Sequence, residues 1–170
     1  MRVLGTHRLP YGRAFGAALL MAWVLAGCAS KPVPPVVTPI AMTVTAGADA
    51  NPDVRGRASP LTVRVYALKS PGPFEGADFF SLFEKDTATL GPELVQREEM
   101  LLRPGESRKL DMTLPADAKA IAVMAAYRDL DRARWREVRA VEPGKPLDVT
   151  VTLGARQIRI DAVPAPSPKK

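Results

Sequence analysis

The two residue types that most often carry enzyme chemistry occur once each in this 170-residue chain: one thiol, Cys28, and one imidazole, His7. A lone cysteine cannot close an internal disulfide. Its remaining uses are catalysis, metal binding, core filling, an intermolecular bridge or covalent attachment. The other acid–base groups are 18 Asp and Glu residues, and two carboxylates at the right spacing can hydrolyse a glycoside. That many acids produce pairs by chance, and solvated strand faces and turn caps account for them. Glu98 and Glu99 cannot act together on a strand, where neighbouring side chains point to opposite faces.

The surroundings of Cys28 decide its chemistry. Met1 to Arg13 carries Arg2, Arg8, Arg13 and His7 with no acidic residue, and Ala14 to Leu25 is apolar throughout. A basic segment followed by a short apolar one that ends in small residues is the order of a secretory signal. Ala14 to Leu25 is well short of the ~20 residues that cross a hydrocarbon core. The box Leu25-Ala26-Gly27-Cys28 resembles the lipobox of bacterial lipoproteins. That resemblance implies signal-peptidase recognition of Leu25, Ala26 and Gly27, cleavage before Cys28, and a diacylglyceryl group with palmitate on the Cys28 sulfur. The alternative is a buried cysteine in an unprocessed signal anchor, but the basic start, the apolar length and the box agree on processing. Ala29 stands where such lipoproteins carry Asp for inner-membrane retention, which implies the outer membrane.

Processing changes the composition. The leader takes three of the 24 basic residues and none of the 18 acidic ones, leaving 21 against 18 and a net charge of +3 instead of +6. Nucleic-acid binding has little support at that charge. His7 leaves with the leader, so the mature chain has neither imidazole nor free thiol. Ser-His-Asp, Cys-His and the usual zinc sites are excluded. We expect no enzyme, no cofactor, no metal and no small-molecule substrate.

The expected organisation is a signal peptide at 1–27, the lipidated cysteine and a proline-rich spacer at 28–39, a sandwich domain at 40–162 and a disordered tail at 163–170. The spacer carries Pro32, Pro34, Pro35 and Pro39, and polyproline II at ~3.1 Å per residue would hold the domain about 25 Å from the lipid. Within the domain, alternation of period two recurs. Ile40, Met42, Val44 and Ala46 point one way and Ala41, Thr43 and Thr45 the other. Residues 61–67, 110–114 and 147–153 repeat this pattern of one buried and one wet face. Ala120 to Tyr127 is apolar on both faces and reads as a central strand; 134–141, 157–162 and, more weakly, 94–102 are further candidates. Turns with Pro-Gly at 104–105 and 143–144 fall between them. In Gly76 to Lys85, Asp78 is placed to cap a short helix with Phe79, Leu82 and Phe83 on one face, a plug for one end of the sandwich. The fold class expected is mostly β, an antiparallel sandwich with one short added helix.

Four stretches carry a pattern beyond composition: "NPDVRGRASPLTVRVYALKS" at 51–70, "ADFFSLFEKDTATLG" at 77–91, "LRPGES" at 102–107 and "AAYRDLDRARWR" at 125–136. In that order they resemble the outer-membrane lipoprotein of the type VI secretion system, the SciN or TssJ family. The resemblance implies a transthyretin-like sandwich tethered to the outer membrane, facing the periplasm. It also implies a partner, the periplasmic domain of the IcmF-like (TssM-type) inner-membrane subunit. The partner-binding loop it implies lies between the first two strands, at Asn51, Pro52, Asp53, Val54, Arg55, Gly56, Arg57 and Ser59. Taken by themselves, Asn51, Pro52, Asp53 and Gly56 are turn formers, and Arg55 and Arg57 offer planar donor heads suited to interfaces. A competing reading is a cell-wall or carbohydrate-binding sandwich, which needs exposed aromatic side chains in a row. Its only strand candidates are Tyr66, Tyr127 and Trp135, and they share no run.

Overall fold

The computed structural model describes residues 35–166. Leu25, Ala26, Gly27 and Cys28 lie outside the described residues, as does most of the expected spacer. Eight strands follow: β1 (Val37–Ala46), β2 (Leu61–Leu68), β3 (Leu94–Leu102), β4 (Ser107–Pro115), β5 (Ala120–Ala125), β6 (Arg136–Ala140), β7 (Leu147–Leu153) and β8 (Ile158–Pro164). Two helices, α1 (Gly72–Gly76) and α2 (Phe79–Leu90), connect β2 to β3.

The strands form two four-stranded sheets, ordered β4-β1-β7-β8 and β3-β2-β5-β6. All but one of the pairings are antiparallel. The exception is β1 with β7, which runs parallel from Ile40–Leu147 to Ala46–Leu153, so the first sheet is mixed where a purely antiparallel one was expected. The inward residues of both sheets make the main core. Met42, Val44, Val63, Val65, Ile121, Val123, Val149 and Val151 are all buried there. Removing apolar surface of this kind from water is the dominant favourable term in folding. The compact unit that begins at Pro35 contains this whole core and a second, smaller one.

That second core explains why Ala120 to Ala125 is apolar on both faces. Ile121, Val123 and Ala125 face the other sheet, while Ala120, Ala122 and Met124 face outward against Phe74 of α1 and Leu82 and Leu90 of α2. The helices thus cover the outer face of a sheet and do not plug an end, which corrects the placement expected for Phe79, Leu82 and Phe83. Asp78 caps α2 as expected, its carboxylate accepting from the Ser81 N–H at 2.9 Å. The helix does not stop at Lys85 but kinks there (φ −139°, ψ 37°) and continues to Leu90. The carbonyls freed by the kink find new donors: Arg64 Nη1 donates to Phe83 O at 2.7 Å and to Leu82 O at 3.2 Å. Thr89 Oγ1 lies 2.9 Å from both Ser81 O and Lys85 O.

Beneath the kink sits the one buried acid of the described residues, Asp86. Arg97 Nη1 donates to its two oxygens at 2.9 and 3.1 Å, the Thr87 N–H at 2.7 Å and the Tyr66 hydroxyl at 3.1 Å. Burial pushes the Asp86 carboxyl up, but the Arg97 and Thr87 hydrogen bonds outweigh it and hold the group below its ordinary value of 3.8. Burial also pushes the Tyr66 phenol up to about 12.

Two boundaries differ from those read off the sequence. β1 begins at Val37, inside the stretch assigned to the spacer, even though Pro39 lacks an N–H. Pairing with β7 starts only at Ile40, so Pro39 sits where β1 has a partner on one side alone. β8 runs on to Pro164 at the start of the assigned tail, and as an outer strand of its sheet it tolerates a proline at its end.

β1 also fixes which end of the sandwich is which. Near its start, Thr38 Oγ1 accepts from Gly144 N–H at 2.8 Å, tying in the β6–β7 turn. Past its other end, Gly47 N–H donates to Leu153 O at 2.8 Å, and Ala46 O accepts from Gly105 N–H at 2.9 Å. A ten-residue strand at ~3.3 Å per residue separates these ends by about 30 Å.

Candidate functional site

The end of the sandwich remote from the start of β1 gathers four connections: the loop 47–60 between β1 and β2, the β3–β4 turn at 103–106, the segment 126–135 between β5 and β6, and the β7–β8 turn at 154–157. Two buried side chains bind the loop 47–60, the segment 126–135 and the turn 154–157 into one rim. Asn51, 3 % exposed, donates through Nδ2 to Pro60 O at 2.8 Å and accepts at Oδ1 from Arg128 N–H at 2.8 Å. It holds φ at 53°, a left-handed conformation that asparagine tolerates better than most residues. Tyr127, next to Arg128, is 4 % exposed and donates its hydroxyl proton to Gln157 O at 2.9 Å, with Gly154 O 3.2 Å away. Burial, with the Asp49 charge a smaller contribution, raises the Tyr127 phenol, so it remains a donor throughout the neutral range.

The tip of the first loop is a tight, self-bonded turn. Asp53 Oδ1 accepts from the N–H groups of Arg55 and Arg57 at 2.8 and 2.9 Å. Oδ2 accepts from Arg57 Nε at 2.8 Å and lies 2.7 Å from Nη2, a two-pronged guanidinium–carboxylate pair. The Arg57 backbone and side-chain hydrogen bonds lower the Asp53 carboxyl below its ordinary value. Gly56 closes the turn at φ 77°, donating to Asp53 O at 2.9 Å. The outcome is a stiff loop that pushes Val54, fully exposed, and Arg55 into solvent.

Between this tip and the 126–135 segment lies an open groove of about 1250 Å³. Arg55 and Arg57 line one wall, Arg128 and Arg132 the other, and Arg156 joins from the β7–β8 turn. A smaller groove that shares Arg128 is edged by Phe79, Phe80 and Trp135. Phe79 meets Trp135 edge to face at 5.3 Å and stacks on Phe83 at 5.3 Å, while Phe80 stays 61 % exposed. Among the described residues no group of three or more His, Cys, Asp or Glu could hold a metal ion.

Residues 38–156 match the family model described as type VI secretion lipoprotein (VasD, EvfM, TssJ). The chain belongs to that family. Its fold is similar to that of the type VI secretion lipoprotein TssJ1 from Pseudomonas aeruginosa, with TM-score 0.73 and 43 % identity over 78 % of this chain and 100 % of that one. The Serratia marcescens protein Lip, a membrane-bound component of the type VI secretion system, gives TM-score 0.67 and 26 % identity over 73 % and 97 %. A chain of the structure described as the type VI secretion protein TssM C-terminal domain from EAEC gives TM-score 0.61 and 27 % identity over 72 % and 99 %. No curated protein matches significantly.

Within this type VI lipoprotein fold, the loop residues expected from the sequence divide into two groups. Val54, Arg55, Gly56 and Arg57 are exposed at the tip; Pro52, Asp53 and Ser59 are partly covered. Asn51 is buried, and its side chain is engaged within the rim by Pro60 O and the Arg128 N–H. Sequence reasoning did not assemble the second wall. The run Arg128-Asp129-Leu130-Asp131-Arg132 after an apolar strand was a visible signal, but Arg156 reaches the groove only through the fold, where Asp129 holds it at 3.2 Å.

Proposed function

We propose that this type VI secretion lipoprotein is a non-catalytic tether. Cys28 carries the lipid that holds it to the periplasmic face of the outer membrane, and the rim around Val54 and Arg55 binds the periplasmic domain of the IcmF-like (TssM-type) inner-membrane subunit. The observation that carries this reading is the polarity of the domain. The stiff loop and its groove stand at the end opposite the start of β1, the strand that a linker from Cys28 enters. A chain fixed by lipid at one end would present the rim away from the membrane, towards a subunit arriving across the periplasm.

Family membership supports the setting, and a relative's chain occurs in a structure described as a TssM C-terminal domain. More than one acyl chain makes attachment stable, since each buried methylene contributes about 0.8 kcal/mol. Confinement to a surface then raises the effective concentration of the rim, so a moderate affinity suffices to hold a large assembly. The carbohydrate-binding reading loses its aromatic row: Tyr66 and Tyr127 are buried, and Trp135 packs against Phe79.

The test is calorimetric titration of the chain from residue 28, with Cys28→Ser, against the periplasmic domain of the IcmF-like subunit from the same cell. Replacing Asp53–Arg57 by a Gly-Ser turn is expected to abolish binding while the melting temperature stays close to the parent's. Unchanged affinity after that replacement would remove the loop from the interface.

A further inference from the structure

The groove has a charge that the rest of the domain lacks. Arg2, Arg8, Arg13, Lys31, Lys169 and Lys170 fall outside the described residues, so residues 35–166 hold 18 basic and 18 acidic side chains and no net charge. The groove lining nevertheless carries five arginines against three aspartates. Every cation there is an arginine, the planar, weakly hydrated head that forks onto carboxylates.

Three of the five are already engaged. Arg57 is paired with Asp53 at 2.7 Å, and Asp129 lies 3.2 Å from Arg156 and 3.9 Å from Arg132. Arg55 and Arg128 are both exposed, and among the described residues neither guanidinium has a carboxylate oxygen within 4.0 Å. They stand on facing walls, one on the Asp53 turn and one on the segment that Asn51 clamps to the same loop. The Asp53 turn holds the Arg55 backbone N–H and the Asn51 clamp holds the Arg128 backbone N–H, so both residues are fixed along one groove. The groove is larger and more open than the ~300–1,000 Å³ typical of a small-molecule site, which fits a polypeptide segment better than a metabolite.

We infer that the partner segment seated in this groove is acidic, delivering carboxylates to Arg55 and Arg128, and that Phe80 and Trp135 on the adjoining shelf receive an apolar side chain beside them. Arg128 lines both grooves, so one continuous chain can reach both. A protein segment is favoured over an anionic lipid surface because the groove lies at the end remote from the start of β1, where the linker from the lipid enters. The inference rests on the tether reading and deepens it by naming the chemistry of the partner.

The experiment uses the residue 28–170 chain with Cys28→Ser and the periplasmic domain of the IcmF-like subunit, titrated at 50 and 300 mM salt. Arg55→Glu and Arg128→Glu are each expected to weaken binding tenfold or more, mainly through the association rate, and to flatten its salt dependence. Lys119→Glu, the same charge change at the opposite end, is expected to leave both unaltered. Phe80→Ser is expected to weaken binding without changing the salt slope. If the parent binds and the two arginine reversals behave like Lys119→Glu, the acidic-segment inference is wrong and the tether reading stands. If the parent does not bind at all, both fail. Binding of the parent to phosphatidylglycerol vesicles that Arg55→Glu abolishes would also overturn the inference, in favour of a membrane surface.

Discussion

Asn51→Ala isolates the clamp on which the rim depends. The side chain makes two hydrogen bonds at 2.8 Å, one to each wall of the loop end. Each is worth about 1 kcal/mol net, and stranding a buried partner group adds to that. Alanine at φ 53° meets a further steric cost of about 1 kcal/mol that glycine avoids. The sum for Asn51→Ala is about 2–4 kcal/mol, and Asn51→Gly should come out about 1 kcal/mol less destabilised. Urea unfolding monitored by Trp fluorescence measures both, with the slope m unchanged. The Arg128 amide supplies a local readout by hydrogen exchange: protected in the parent, fast in both variants. A loss below about 0.5 kcal/mol for Asn51→Ala, or glycine behaving worse than alanine, would refute the assignment of Asn51 as the rim's clamp.

Other variants address the packing behind the rim. Asp86→Asn removes the charge that joins Arg97, Tyr66 and the α2 kink to the sheet, and is expected to cost about 2 kcal/mol in urea. That is below the ~3–5 kcal/mol of a fully buried pair because Arg97 is 42 % exposed. The Asp86 carboxyl titrates below its ordinary value in the folded state, so its stabilisation is complete above about pH 4 and is lost as pH falls through the native value. Stability measured from pH 6 to pH 2 should therefore converge for parent and variant; parallel curves would contradict the buried-carboxylate account. Tyr127→Phe removes the donor to Gln157 O and should cost about 1 kcal/mol while speeding amide exchange in the 154–157 turn. Unaltered exchange there would count against Tyr127 as the tie between those loops.

What local pattern could reveal and what it could not divides along physical lines. Alternation reports which faces of a strand are wet. It therefore located β1, β2, β4 and β7 and marked β5 as covered on both sides. It says nothing about which strand lies beside which, so the parallel pairing of β1 with β7, across roughly a hundred residues, was invisible. The helix was read as ending at Lys85 because its kink depends on Arg64, a residue on a strand, to satisfy the freed carbonyls. The five-residue α1, opening on Pro71-Gly72-Pro73, has too few turns to show a period. Asn51 shows the same limit at the site. Its type marked a turn correctly, but its burial and its bond to Arg128, 77 residues on, belong to the tertiary structure alone. The groove's unpaired arginines likewise come from segments that only the sandwich brings together.

The central claim is that a lipid at one end and a partner-binding rim at the other make this protein a tether. Cys28→Ser, expressed at the native level in the secreting cell, tests it directly by membrane fractionation, co-purification and a secretion assay. The protein should leave the outer-membrane fraction, still co-purify with the periplasmic domain of the IcmF-like subunit, and fail to support secretion. Secretion at the parental level by a protein that has left the membrane would contradict the tether.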